Sequence, residues 1–436
     1  MTRRLRPLRA IAGACAIACA LFAATTAIAQ SNEEEGLDAR RARVHTKSAV
    51  EHVINVPGLV LQIPFRALGL TLKYSMIGVD KTRLPERVKA IFREPLSPVV
   101  SYGSRPGFAG GLRLKLRDVG ADDSDLTAHG TYSTNSHQDY YLRYRARDIA
   151  GRFYMSARAG YNVNTNEDFY LTNAADTGAR SNFEHELIEA RFAGGGQLTD
   201  RIGAELRVEA SDHAFADGDG LYESTVDVVG EAGAPGIGGV TLAGVGAAVT
   251  YDSRDNDYYA SRGVRVALSA MTFAELSSEQ AAGEEFTFTR YGLDASTYVT
   301  LGRPGRILAA RLAAEMTTDA GDRKTPFFAL SDLGGAEDLR SYDTGRFRDK
   351  DSILLNVEYR YPIWEAVLGL KAGADAVLFA DIGRVFPDLF TDTFKDYNVV
   401  YGFGLRARMT DGFVGRAEMA FGDEETRIIF QFDPIF

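Results

Sequence analysis

The sequence predicts an all-β fold, a sixteen-stranded antiparallel transmembrane β-barrel preceded by a short, partly helical N-terminal segment. Three observations lead there. From residue 107 onward, apolar residues recur at every second position in one short segment after another. The 436 residues include 44 Gly, 25 Phe and 20 Tyr but 1 Trp. After residue 29 no apolar run is long enough for a spanning helix, which needs about 20 residues. Short alternating strands with aromatic ends are the signature of a barrel that crosses a membrane. A soluble sandwich alternates too, but its apolar face is its core. Here that face would meet lipid and the polar face would line a lumen.

Residues 1–29 read as a secretory signal peptide. Arg3, Arg4, Arg6 and Arg9 form a basic head, an apolar stretch follows, and Ala27-Ile28-Ala29 is a small-x-small exit. Both cysteines, Cys15 and Cys19, fall inside it, so the mature chain is expected to have no disulfide, thiolate metal site or cysteine nucleophile. Loss of the four signal arginines takes the formal charge from −10 to −14, which argues against nucleic-acid partners.

Residues 30–98 form a periplasmic or plug-like segment, and the barrel is expected over 99–436. Within the segment, Leu84, Val88, Ile91 and Phe92 share one face of a helix capped by Thr82. Strands are expected at 107–118, 125–135, 138–147, 151–163, 182–195, 201–212, 220–230, 239–251, 263–275, 285–300, 306–318, 351–361, 372–382, 398–409, 412–422 and 426–436. An even number returns both ends to the periplasm, so the long 319–350 connection, after the eleventh strand, lies outside. In the last strand Ile428, Phe430, Phe432 and Phe436 share one face. Pro434 lacks a donor and is expected to loosen closure against the first strand.

The 319–350 loop carries Leu339-Arg340-Ser341-Tyr342 at its centre, just after Gly334-Gly335. A polar loop of this length calls for a functional explanation. On the strand after it, Asn356, Glu358 and Arg360 share a face. One strand further, Phe379, Asp381 and Gly383 share another. Charge is expensive in lipid, so both faces are luminal. If the loop folds inward, Arg340 can reach Glu358 and Asp381, and a guanidinium can grip a carboxylate through two bonds.

Four pieces of this sequence resemble the BamA/TamA superfamily of sixteen-stranded outer-membrane barrels, the surface-antigen type. They are Tyr251-Asp252-Ser253-Arg254-Asp255-Asn256 with Arg262-Gly263, Leu339-Arg340-Ser341-Tyr342, Glu358-Tyr359-Arg360-Tyr361-Pro362, and Phe379-Ala380-Asp381-Ile382-Gly383. The resemblance covers about 107–436. It implies residence in the bacterial outer membrane, contact with its lipids, use of the barrel-assembly machinery for the chain's own insertion, and protein substrates. It also implies a latch of Arg340 with Glu358 and Asp381, supported by Leu339, Ser341, Tyr342, Phe379 and Gly383. Phe430, Phe432 and Phe436 correspond to the family's C-terminal assembly signal.

Two departures stand out. The family has Gly where this chain has Ser341, and a positive φ there would strain serine. Residues 30–106 do not read as the family's POTRA domains, so the resemblance is to the branch lacking them.

No catalytic set, cofactor or metal site is expected. The acids around His185 lack metalloprotease spacing, and Asp252, Asp255 and Asp257 lack the calcium-loop pattern. Two functions remain open: insertion or translocation of proteins or lipids through a weak seam between first and last strands, gated by the loop, or a passive or structural barrel.

Overall fold

A computed structural model describes residues 95–431, except 104–105, 172, 174–179, 221, 279–284, 303, 322, 368–369, 391–394 and 410–413. The signal peptide, the helix expected near 82–92, Phe432, Pro434 and Phe436 lie outside the described residues.

Among the described residues, sixteen strands form one antiparallel sheet in chain order. They are β1 (Leu96–Gly103), β2 (Gly107–Arg117), β3 (Ser124–Ser133), β4 (Gln138–Ile149), β5 (Phe153–Tyr170), β6 (Arg180–Gln197), β7 (Ile202–Asp217), β8 (Val240–Asp252), β9 (Gly263–Ser278), β10 (Thr287–Thr300) and β11 (Ile307–Asp319). After a loop containing the small hairpin β12 (Ser331–Leu333) and β13 (Phe347–Asp349), the sheet resumes with β14 (Asp351–Val367), β15 (Leu370–Phe386), β16 (Asn398–Met409), β17 (Val414–Phe421) and β18 (Thr426–Gln431).

Period-2 alternation sorts the two faces. On β2, Leu112, Leu114 and Leu116 are exposed on the outer face; on β16, Val399, Tyr401 and Phe403; on β18, Ile428 and Phe430. Their neighbours Gly402, Gly404, Arg406 and Ile429 point inward with the residues they face across the ladder. A belt of exposed aromatic and aliphatic side chains around a polar interior is what lipid outside and water inside select.

Two elements differ from the sequence expectation. Residues 220–230 do not form a strand; α1 (Thr225–Gly233) takes their place, broken at Gly230, whose φ is +64°. Val226 and Val228 alternate with Asp227, so the local pattern reads as a strand. Packing overrides it: Val229 and Ala234 turn into a cluster with Phe183, Ile237 and Phe327. The second difference is β1, ahead of the first expected strand and paired with β2 from Leu96↔Leu114 to Gly103↔Gly107. The extra strand and the lost one cancel by β8, so the loop after β11 still follows the eleventh strand of the sheet, as expected. Connections between β2 and β7 exchange sides. The β5–β6 end now lies beside the 320–350 loop: Tyr170 Oη donates to Asp343 at 2.9 Å, and Arg180 pairs with Asp343 at 3.2 Å.

Candidate functional site: a loop seated on a buried charge network

The loop after β11 turns into the barrel instead of standing outside it. Gly334 and Gly335 make the re-entrant bend, with φ of +123° and +101°. A Cβ at Gly334 would overlap the Asp343 carbonyl, so only glycine lets the two arms of the loop close. Leu333, Leu339, Tyr342 and Phe347 then pack on an inner wall of Leu354, Val377, Phe379, Val385, Val400, Ala420 and Ile429. The wall beneath the loop is therefore partly apolar, which alternation alone does not reveal.

Arg340 sits at the bottom of this seat with no exposed surface. Its Nε and Nη2 donate to the two oxygens of Asp381 at 2.9 and 2.7 Å, a bidentate grip. Its Nη1 donates to Glu358 and to Glu418, each at 3.1 Å. The guanidinium carbon lies 3.5 Å from the centre of the Phe379 ring, a cation–π contact on its remaining face. Asn356 ties the arrangement together: its Nδ2 donates to Asp381 at 2.8 Å and to the Asp338 carbonyl at 3.0 Å.

The network extends beyond the three residues that sequence reasoning names. Arg360 reaches Glu358 at 2.9 Å. Arg406 binds both Glu358 and Glu418, with Nη1 to Glu358 Oε2 at 2.8 Å and Nη2 to Glu418 Oε1 at 2.9 Å. Arg416 adds a bond to Glu418 at 3.2 Å and another to Gln431 on β18. Below it, Tyr259 Oη donates to Asp375 at 2.6 Å while its ring lies 4.9 Å under Arg360. Tyr259 is held there by the turn after β8, where Asn256 accepts from the backbone N–H of Tyr258 and Tyr259 at 2.9 Å.

All these charges are buried, and Arg340, Arg360, Arg406 and Arg416 are matched by Glu358, Asp375, Asp381 and Glu418. Balance matters because desolvating an ion costs several kcal/mol unless its partners are in place. Sequence reasoning missed Glu418, Arg406, Arg360 and Arg416 as members. The signal was present, since Arg406 lies on the polar face of β16 and Arg416 and Glu418 on one face of β17.

Of the supporting positions, Phe379 and Leu339 touch the seat directly. Gly383 leaves room for Leu333. A side chain at Gly402 would overlap the Phe379 ring, so that glycine sets the ring under Arg340. Ser341 does not have a positive φ, so the strain expected of serine is absent. Its Oγ instead fills the space opposite Gly422, where a Cβ would overlap it. The β17–β18 turn also grips the loop tip. Arg346 pairs with Glu424 at 2.6 Å, and Arg427 donates to the Tyr342 carbonyl. Phe430 faces outward, 75% exposed.

A sixteen-stranded antiparallel sheet with an apolar outer face and a charged inner face has the build of an outer-membrane β-barrel. The profile of the Omp85 superfamily domain matches residues 124–432, and the chain belongs to that superfamily. Its place is the bacterial outer membrane. Among solved structures, BamA from Haemophilus ducreyi lacking POTRA domains 1–3 is similar in fold, at 14% identity and a TM-score of 0.56, covering 78% of this chain and 70% of that one. CdiB from Escherichia coli is similar at 11% identity and a TM-score of 0.53, covering 78% of this chain; this chain spans 61% of its length. No curated protein sequence matches significantly.

Proposed function

We propose that this barrel inserts or translocates proteins at the outer membrane through a seam between β1 and β18, with the Arg340 loop as its latch. The observation that carries the reading is where the loop is anchored. Arg340 and Arg346 are held by Glu358 on β14, Asp381 on β15, Glu418 on β17 and Glu424 in the β17–β18 turn. Those are the strands that lead to the end of the sheet, so a latch there can stabilise or release it.

Among the described residues no pairing joins β1 to β18. The loop filling the outer part of the lumen speaks against the alternative, a permanently open pore.

The test compares outer-membrane and secreted proteomes with and without the protein. A selective fall in some barrel or secreted proteins is expected on depletion, and an unchanged proteome would sink the proposal. Cysteines placed along β1 and β18 should cross-link, and locking them together should reproduce the depletion.

A further inference from the structure

The lumen wall opposite the latch is charged differently. On β2–β6, register brings Lys115 beside Thr127, Thr127 beside Arg143, Arg143 beside Arg158 and Arg158 beside Arg191. One row over, Arg113 faces His129, which faces Tyr141. Neighbouring strands are about 4.8 Å apart, so like charges directly opposite repel. The acids nearby serve part of the row. Glu189 takes Arg191 at 2.7 Å and Arg158 at 3.3 Å, and Asp125 takes Arg145 at 3.4 Å. Asp139 lies 3.8 Å from Arg158 and 3.5 Å from His129.

Arg113 and Arg143 are left over: among the described residues neither guanidinium makes an ion pair with a carboxylate. Arg143 Nε and His129 Nδ1 are buried with no hydrogen-bond partner. Between them the Tyr141 ring stacks on His129 at 4.7 Å and lies under Arg158 at 4.5 Å and Arg143 at 5.6 Å. The ring holds Arg143 and Arg158 against one side of His129, and the register sets Arg113 and Lys115 on the same luminal face two strands away. All of these lie on the luminal face, since Leu112, Leu114 and Leu142 of the same strands face out.

We propose that Arg113, Lys115, Arg143 and Arg158 form a luminal site for a phosphate-type oxyanion. A phosphate offers at least three acceptor oxygens in different directions, which suits forked donors arriving from β2, β4 and β5. A carboxylate offers two oxygens in one plane and satisfies fewer of them. The ligand can be a free phosphate or a phosphate-bearing lipid headgroup, since the chemistry is shared. The site stands independently of the insertion reading.

The test uses the full-length wild-type protein in zwitterionic micelles at low salt. Modification of Arg113 and Arg143 by phenylglyoxal is read by mass spectrometry without ligand, with sodium pyrophosphate, with phosphatidic acid doped into the micelles, and with poly-glutamate. Saturable protection of both arginines by pyrophosphate assigns the site to free phosphate; protection by phosphatidic acid alone assigns it to a headgroup. The double variant Arg113→Gln/Arg143→Gln should weaken calorimetric binding of the protecting probe at least tenfold, whereas Arg207→Gln, at an arginine that bonds Glu205, should not. No protection by either phosphate probe, equal protection by poly-glutamate, or full affinity in the double variant would overturn the assignment.

Discussion

One loop is held at two places by opposite physics. At its tip, Arg340 enters a buried network of four arginines and four carboxylates on β14–β17. At its root, Phe327 and Phe328 enter an aromatic cluster on the far wall. Phe327 lies 5.1 to 5.7 Å from Phe215, Phe183 and Phe169, and Phe328 stacks on His213 at 4.1 Å. The root contact is non-directional and gains from removing apolar area from water. The tip contact is directional: each donor has one assigned oxygen. Buried ion networks often stabilise no more than apolar residues of the same volume would, yet losing one member is costly. The aromatic root therefore contributes holding strength, and the charged tip contributes position. If the loop acts as the proposed latch, release needs the second kind, because a shift of an ångström or so breaks several bonds together.

Removing a charge should have the largest effect. Arg340→Ala leaves Glu358, Asp381 and Glu418 buried without it and should cost about 3–5 kcal/mol, read as lowered heat stability of the folded barrel on gels and lower surface yield. Wild-type behaviour in that variant would break the comparison at its charged end. Phe327→Ala should cost about 3 kcal/mol by cavity formation, measured by urea unfolding in micelles. The double variant sharpens the contrast: independent anchors give additive losses within about 0.5 kcal/mol, and a larger deviation means that root and tip move as one body.

A smaller effect is expected at the edge of the tip. Gly422→Ala places a methyl group on Ser341 Oγ and should cost about 1–3 kcal/mol by overpacking. Ser341→Gly in the same chain should restore stability. Failure of that rescue would mean that the strain lies elsewhere in the turn.

The smallest effect is one of pH. Asp338 is half-buried in the loop, clear of the spanning strands, and 3.8 Å from Arg311. Burial pushes its carboxyl up to about 7 against the pull of that arginine. Its protonated form is therefore favoured in the folded loop. The associated stability is complete below pH 3.8 and is lost as pH rises through about 7. Protease resistance of the loop should fall across that window in the wild type. Asp338→Asn should flatten the trend, and an identical slope in both would remove Asp338 from the comparison.

Much of the barrel is legible from period-2 alternation, because which face a side chain takes is a local property of a strand. The same logic sets Glu358 and Asp381 toward the lumen. It fails at 220–230, where valines alternate as in a strand but Val229 and Ala234 are drawn into a distant aromatic cluster. It fails at β1, where Ser97, Pro98 and Ser101 interrupt the apolar positions and pairing with β2 supplies the order. Phe327-Phe328 carries no local mark of an anchor either, since its ring partners Phe169, Phe183, His213 and Phe215 lie more than a hundred residues away on β5–β7.

The sequence by itself determined the strand pattern, the luminal faces of Glu358 and Asp381, the re-entrant glycines and the presence of an arginine at the loop's centre. These follow from dihedral limits and from the cost of charge in lipid, which act over a few residues. Only the tertiary structure decided that Glu418, Arg406, Arg360 and Arg416 complete the network and that Gly422 makes room for Ser341. It also decided that the opposite wall keeps an excess of cations. Those outcomes depend on the register of neighbouring strands, and register is set by the whole ladder at once.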